Sequence, residues 1–154
     1  MGMRHLQPLS RLVSVVALAT LIVAGCGSSG SSVPPTAAIT ATWVSFFGTT
    51  GNANQVQGMD AQLRPVYTKS RSGALGKGSS AKVVSVLTES SAACKAVPVP
   101  SPCAKVTYDI LINGTAALSN ATGYATKQGG KWYVSKNTFC SLISLENGSP
   151  PAGC

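Results

Sequence analysis

KVTYDILINGTAALSNATGYATKQGGKWYVSKNTFC, residues 105–140, is the stretch that decides the fold. Val106, Tyr108, Ile110 and Ile112 alternate with Lys105, Thr107, Asp109 and Leu111, the two-residue period of a half-buried strand. Asn113-Gly114 follows, and both residue types accept the positive φ of a tight hairpin turn. Residues 125–128 then meet Gly129-Gly130, a second turn, and residues 131–136 return rich in β-formers. The stretch predicts an antiparallel meander ending at Cys140. The rest of the chain must cover its apolar face.

Working outward, the chain has 154 residues and a formal charge of +8, from twelve Lys and Arg against four Asp and Glu. That length predicts one domain. Arg4 and Arg11 fall in an N-terminal leader, and without them ten basic and four acidic residues leave +6. A basic balance points to anionic partners: outside a cell, lipid headgroups or wall polymers rather than nucleic acid. Solubility alone is the plainer explanation.

The leader spans residues 1–25. Arg4, His5 and Arg11 form a positive region, and the 14 residues from Leu12 to Gly25 are uncharged and mostly apolar. That is short of the roughly 20 needed to span a bilayer and fits a signal peptide. It closes on Ala24-Gly25-Cys26, which resembles a bacterial lipobox. The resemblance implies cleavage before Cys26, acylation of its thiol, and a membrane partner through that anchor. Residues 26–35 alternate Gly and Ser and end in Pro34-Pro35, a flexible tether with a stiff end. Residues 36–154 remain as the folded domain.

That domain opens with Thr36 as an expected N-cap. Ile39, Trp43, Phe46 and Phe47 then fall on one helical face before Gly48. With Tyr108 and Trp132, the three aromatics of this helix could wall an apolar ligand pocket; core packing is the plainer reading. Residues 54–59 and 61–67 read as short helical turns, and residues 68–80 as a polar loop. Arg64, Lys69, Arg71, Lys77 and Lys82 carry five positive charges with no acid among them, a candidate contact for an anionic surface. Residues 73–78 only superficially suggest a phosphate loop: Arg71 stands where the first glycine is required, and Gly78 where Ser or Thr is. Residues 82–88 read as a strand with Val84 and Val86 on one side and Val83 and Leu87 on the other, hence an inner strand.

Removing Cys26 leaves four of the five cysteines, and four permit three pairings. We expect Cys94–Cys103 and Cys140–Cys154, because each closes a Pro-rich excursion beside a strand. Each would stabilise by about 2–4 kcal/mol. No Cys-x-x-Cys occurs and the sole histidine, His5, lies in the leader. No metal site, cofactor or histidine-dependent catalysis is therefore expected. Of the four carboxylates, Asp109 is the one that could move a proton, with Tyr108 or Tyr133 nearby, if its strand face lined a cavity. The Asn-x-Ser/Thr patterns at Asn113, Asn120 and Asn147 carry little meaning in a bacterium.

Taken in order, residues 39–47, 81–86, 106–114, 123–125, 130–135 and 138–140 resemble a family of mycobacterial and actinobacterial low-molecular-weight secreted antigens, over roughly residues 36–154. The resemblance implies an α+β cone of the nuclear-transport-factor-like or cystatin-like kind, with N-terminal helices packed on a curved antiparallel sheet. It supplies no catalytic residues. The expectation is a lipid-anchored, extracytoplasmic, non-catalytic protein that binds a small apolar molecule or a cell-envelope component. The alternative is a small isomerase or hydrolase using Asp109 in a conical pocket.

Overall fold

The computed structural model describes residues 35–73, 76 and 78–154. The leader, Cys26, the tether and Lys77 lie outside the described residues. Helix α1 (Pro35–Phe47) comes first, then a 3-10 turn (Ala53–Gln55) and helix α2 (Leu63–Ser72). Strand β1 (Ser79–Thr88), helix α3 (Ser91–Ala96), strands β2 (Cys103–Ile112), β3 (Thr115–Gln128) and β4 (Lys131–Val134), and helix α4 (Lys136–Asn147) follow. The four strands form one open antiparallel sheet in the order β1-β2-β3-β4. The class is α+β, as the meander predicts. Helices are not confined to the N-terminal end, however: α3 interrupts the strands and α4 follows them.

Both expected turns form. Asn113 and Gly114 have φ of 50° and 82°, and Gly129 and Gly130 have 53° and 82°, values that suit a two-residue hairpin turn. On β2 the apolar alternation is realised. Val106, Tyr108 and Ile110 are buried on the front face, and Lys105, Thr107 and Asp109 turn to the back. The front face is covered by α1, which lies on β1 and β4, and by α4.

Five local expectations are corrected. The meander ends at Val134, not Cys140: Ser135 caps helix α4 and residues 136–140 are its opening turns. The first helix starts at Pro35, so Thr36 lies in its first turn and is not its cap; proline suits that position because its missing N–H would be unpaired there anyway. The helical turn expected over residues 54–59 contracts to the 3-10 turn. Helix α2 runs on to Ser72 through residues expected as loop. Its apolar signal stops at Leu63 and Tyr67, while its last turn carries Lys69 and Arg71, favourable beside helix carbonyls. Pro65 is tolerated because it sits in the first turn. Finally, β1 is an edge strand, not an inner one, and begins at Ser79. A bulge between Val83 and Ser85 shifts its register, so Val83 and Val86 meet the core while Val84 and Leu87 are exposed. A bulge inverts the inside-outside phase of everything beyond it.

Aromatic rings run through the front core. Trp43 meets Tyr108 edge-on at 5.7 Å between centroids, Phe47 meets Tyr108 at 5.6 Å, and Phe46 meets Phe47 at 5.0 Å. Tyr67 continues the series to Phe139 at 6.1 Å. Gly123 makes the close approach possible: a Cβ there would lie 2.6 Å from Thr138 Cγ2 and 3.1 Å from Trp43 Cζ2. Thr138 in turn accepts the Tyr124 N–H at 2.7 Å, seating α4 on β3.

The back face carries a smaller core. Cys94, Val99 and Cys103 are buried there with Tyr124 packed against them. The Cys94–Cys103 bond is formed, and Thr126 donates its hydroxyl to Pro100 O at 2.8 Å. The Cys140–Cys154 bond is formed as well and returns the tail to α4.

Candidate functional site

A groove of about 520 Å³ opens at the β4 edge of the sheet. Ala38 and Thr42 of α1, Asn54 and Gln55 of the 3-10 turn, and residues 130–133 line it. The sequence builds it from two tight turns. Gly129-Gly130 folds the chain back sharply enough to leave Trp132 half-buried at the rim. On the opposite wall Asn52 caps the 3-10 turn reciprocally: its Oδ1 accepts the Asn54 N–H at 3.0 Å and its own N–H donates to Gln55 Oε1 at 2.8 Å. Gln55 Nε2 donates to Ser45 Oγ at 2.7 Å, fixing this turn to α1.

The groove is positive on its borders. Lys131 lines it, Lys127 Nζ stands 6.0 Å from the centre of the Trp132 ring, and Arg64 donates to Asn54 Oδ1 at 3.0 Å. None of the four carboxylates lines it. The strand edge behind it is partly spoken for. Gln57 N–H bonds to Val134 O at 2.8 Å, and Thr42 Oγ1 lies 3.4 Å from Trp132 O.

The expected aromatic pocket is distributed differently. Trp43 and Tyr108 are essentially inaccessible, and Phe46 and Phe47 are buried, all four in the front core. They pack on one another instead of around a space, and Trp132 belongs to the groove. The recess that Phe46 and Phe47 do touch, with Tyr67, Arg71 and Phe139, holds only about 40 Å³. Ligand sites usually offer about 300–1,000 Å³. Burial also pushes the Tyr108 hydroxyl up to about 12 and raises that of Tyr67.

Among the described residues the basic run is divided. Arg64 and Lys69 lie on α2, whereas Arg71 turns inward, donating to Phe47 O at 3.2 Å and Gly48 O at 2.6 Å. Its guanidinium thereby caps the C-terminus of α1, where carbonyls lack helical partners. Lys82 stands opposite Asp109 in the β1–β2 register, on the back of the sheet. Asp109 itself accepts the Asn120 N–H at 2.8 Å, beside an irregularity in the β2–β3 register. It points away from the core that holds Tyr108. Tyr133 pairs with Thr126, which pairs with Cys103 at the other end of β2. Asp109 therefore meets neither tyrosine.

Thr42, Asn54, Gln55 and Lys131 carry no signal in the sequence, and Tyr133 enters it only as a neighbour for Asp109. The Gly129-Gly130-Lys131-Trp132 turn was legible, but nothing local says that the 3-10 turn from seventy-odd residues earlier forms the facing wall. No cluster of potential metal ligands occurs among the described residues, and no helix there is long and apolar enough to cross a membrane.

The model of the low molecular weight antigen MTB12 C-terminal domain matches residues 32–150. The chain belongs to that family. The match takes in every element that builds the groove and all of the sheet. Curated proteins and solved structures give no match. Membership of an antigen family points to an extracellular or envelope location.

Proposed function

We propose that this antigen-family protein is a non-catalytic lipoprotein, held at the outer face of the cell membrane through an acylated Cys26, that binds another envelope component with its surface. The lipobox-like Ala24-Gly25-Cys26 and the Gly/Ser tether support the anchor. The nuclear-transport-factor-like cone belongs to the same reading. One observation carries the choice of surface over interior: the front core is filled by Trp43, Phe47 and Tyr108, while the large open space lies outside it, at the β4 edge. An apolar ligand inside the cone would have to displace those rings. The bond from Asn120 N–H to Asp109 on the back face supports the non-catalytic reading over the enzymatic one.

The test is expression of the full chain in an actinobacterial host. The N-terminal peptide should carry the mass of a diacylglyceryl-modified Cys26, and Cys26→Ala should move the protein from membrane to medium. An unmodified N-terminus retained equally by both forms would refute the anchor. Purified protein should also be retained on washed envelopes; absence of retention would refute the binding role.

A further inference from the structure

From the groove's chemistry we infer that it takes an acidic oligosaccharide; the inference rests on the surface-binding reading above and names its ligand class. Three features converge there. The Trp132 ring packs on the core but stays partly exposed at the rim, and an indole face packs well on the C–H face of a sugar ring, which is apolar although its edge is not. Around it stand Thr42, Asn54 and Gln55. Gln55 already accepts the Asn52 N–H and donates to Ser45 Oγ, and Thr42 donates to Ala38 O at 3.0 Å, but each keeps a spare lone pair or N–H for a sugar hydroxyl. Asn54 keeps two amide N–H donors while its Oδ1 is held by Arg64. Lys131, Lys127 and Arg64 then border a space with no carboxylate in its lining, so a negative substituent on the sugar meets only positive charge.

Competing occupants fit less well. An extended peptide adding to the sheet needs a free strand edge. Here β4 has four residues, Val134 O is taken by Gln57 N–H, and Trp132 O faces Thr42. A lipid chain needs continuous apolar depth, and this lining alternates aromatic with amide and hydroxyl groups. The volume, about 520 Å³, lies within the roughly 300–1,000 Å³ of small-molecule sites.

The test uses the full chain in detergent, titrated with tetragalacturonic acid, with acidic polysaccharide extracted from the envelope, with neutral maltotetraose and with short-chain polyphosphate. Tryptophan emission is read alongside calorimetry; Trp43 is inaccessible, so a change reports Trp132. At least one acidic saccharide should bind saturably and more tightly than maltotetraose and polyphosphate. Lys131→Ala should weaken it about two- to five-fold, the range of an exposed charge contact, and Asn54→Ala similarly. Lys95→Ala, on α3 at the back of the sheet, should change nothing. No saturable binding of either acidic saccharide overturns the inference. So does polyphosphate binding as tightly, which reduces the site to bare charge, and so does equal weakening by Lys95→Ala. Envelope retention whose affinity is unchanged by Lys131→Ala and Asn54→Ala overturns the inference but leaves the surface-binding reading standing; absence of retention in the unmodified chain overturns both.

Discussion

On the front of the sheet Trp43, Phe47 and Tyr108 pack ring against ring under two long helices, while on the back a six-residue helix is held down by the Cys94–Cys103 bond. The front has enough apolar area to stabilise itself by burial. The back has not: its core is Cys94, Val99 and Cys103, with Val97 and Tyr124 beside them. A helix of six residues is too short to persist unaided, and the covalent link restrains the unfolded chain where packing is thin. The edge of β1 was left partly bare, with Val84 and Leu87 about half or more exposed. The contrast teaches that the disulfide is an economy of area: it seats a cover on a face that a small domain cannot also bury.

The largest effect expected is on the front. Trp43→Ala removes a fully buried ring that touches Tyr108 and crowds Gly123, and should cost about 3–5 kcal/mol in urea unfolding. A loss below about 1 kcal/mol would mean that the ring series is not the main support. Replacing Cys94 and Cys103 together by Ala should cost less, about 2–4 kcal/mol, and should act differently. Near-ultraviolet dichroism from the front aromatics should persist, while amide exchange over residues 91–102 accelerates. If both signals change together, the two faces are one cooperative unit and the comparison fails.

Alkaline titration separates the faces by charge. Tyr108 sits in the front core with its pKa pushed up to about 12 by burial. A group with a raised folded pKa retains more protons folded than unfolded once the pH passes its ordinary value near 10, so stability falls as the pH rises from there. About 2 kcal/mol should be lost between roughly pH 10 and 12. Tyr108→Phe should abolish that part of the slope; an unchanged slope in the variant would show that other groups set it.

How much of this was legible depended on the range of the interaction. The β2 alternation, both Gly-containing turns and the α1 face at Ile39, Trp43, Phe46 and Phe47 are local, so periodicity and turn chemistry found them. The β1 bulge was invisible because Val83, Val84 and Val86 are alike to any pattern; only the pairing with Tyr108 and Thr107 shows which is extra. The inward turn of Arg71 had no sequence signal either, since its partners, Phe47 O and Gly48 O, are backbone atoms 23 and 24 residues away. The groove was hidden for the same reason. Its walls come from residues 38–55 and 130–133, and no spacing rule joins segments so far apart. Aromatics at helical spacing read as either core or pocket until the packing is known.

The smallest effect concerns the tie between α2 and α4. Asp60 accepts the Leu63 and Gln62 N–H groups, both at 2.9 Å, and lies 3.6 Å from Lys136 Nζ. It thus caps α2 and links it to the start of α4. The Leu63 bond, then the Gln62 bond and the Lys136 charge, hold its carboxyl below the usual carboxylate value despite some opposing desolvation. With a depressed folded pKa the contribution is present above the ordinary value near 4 and is lost as the pH falls through the folded one. Because the group is exposed, salt screens the Lys136 part but not the hydrogen bonds to backbone. Asp60→Asn keeps an acceptor for those bonds and removes the charge. Its stability should therefore fall slightly below the parent's near neutrality, by more in dilute buffer than at high salt, and approach it as the pH falls through the folded pKa. A deficit undiminished by high salt would place Asp60's contribution in the cap itself and not in its pairing with α4.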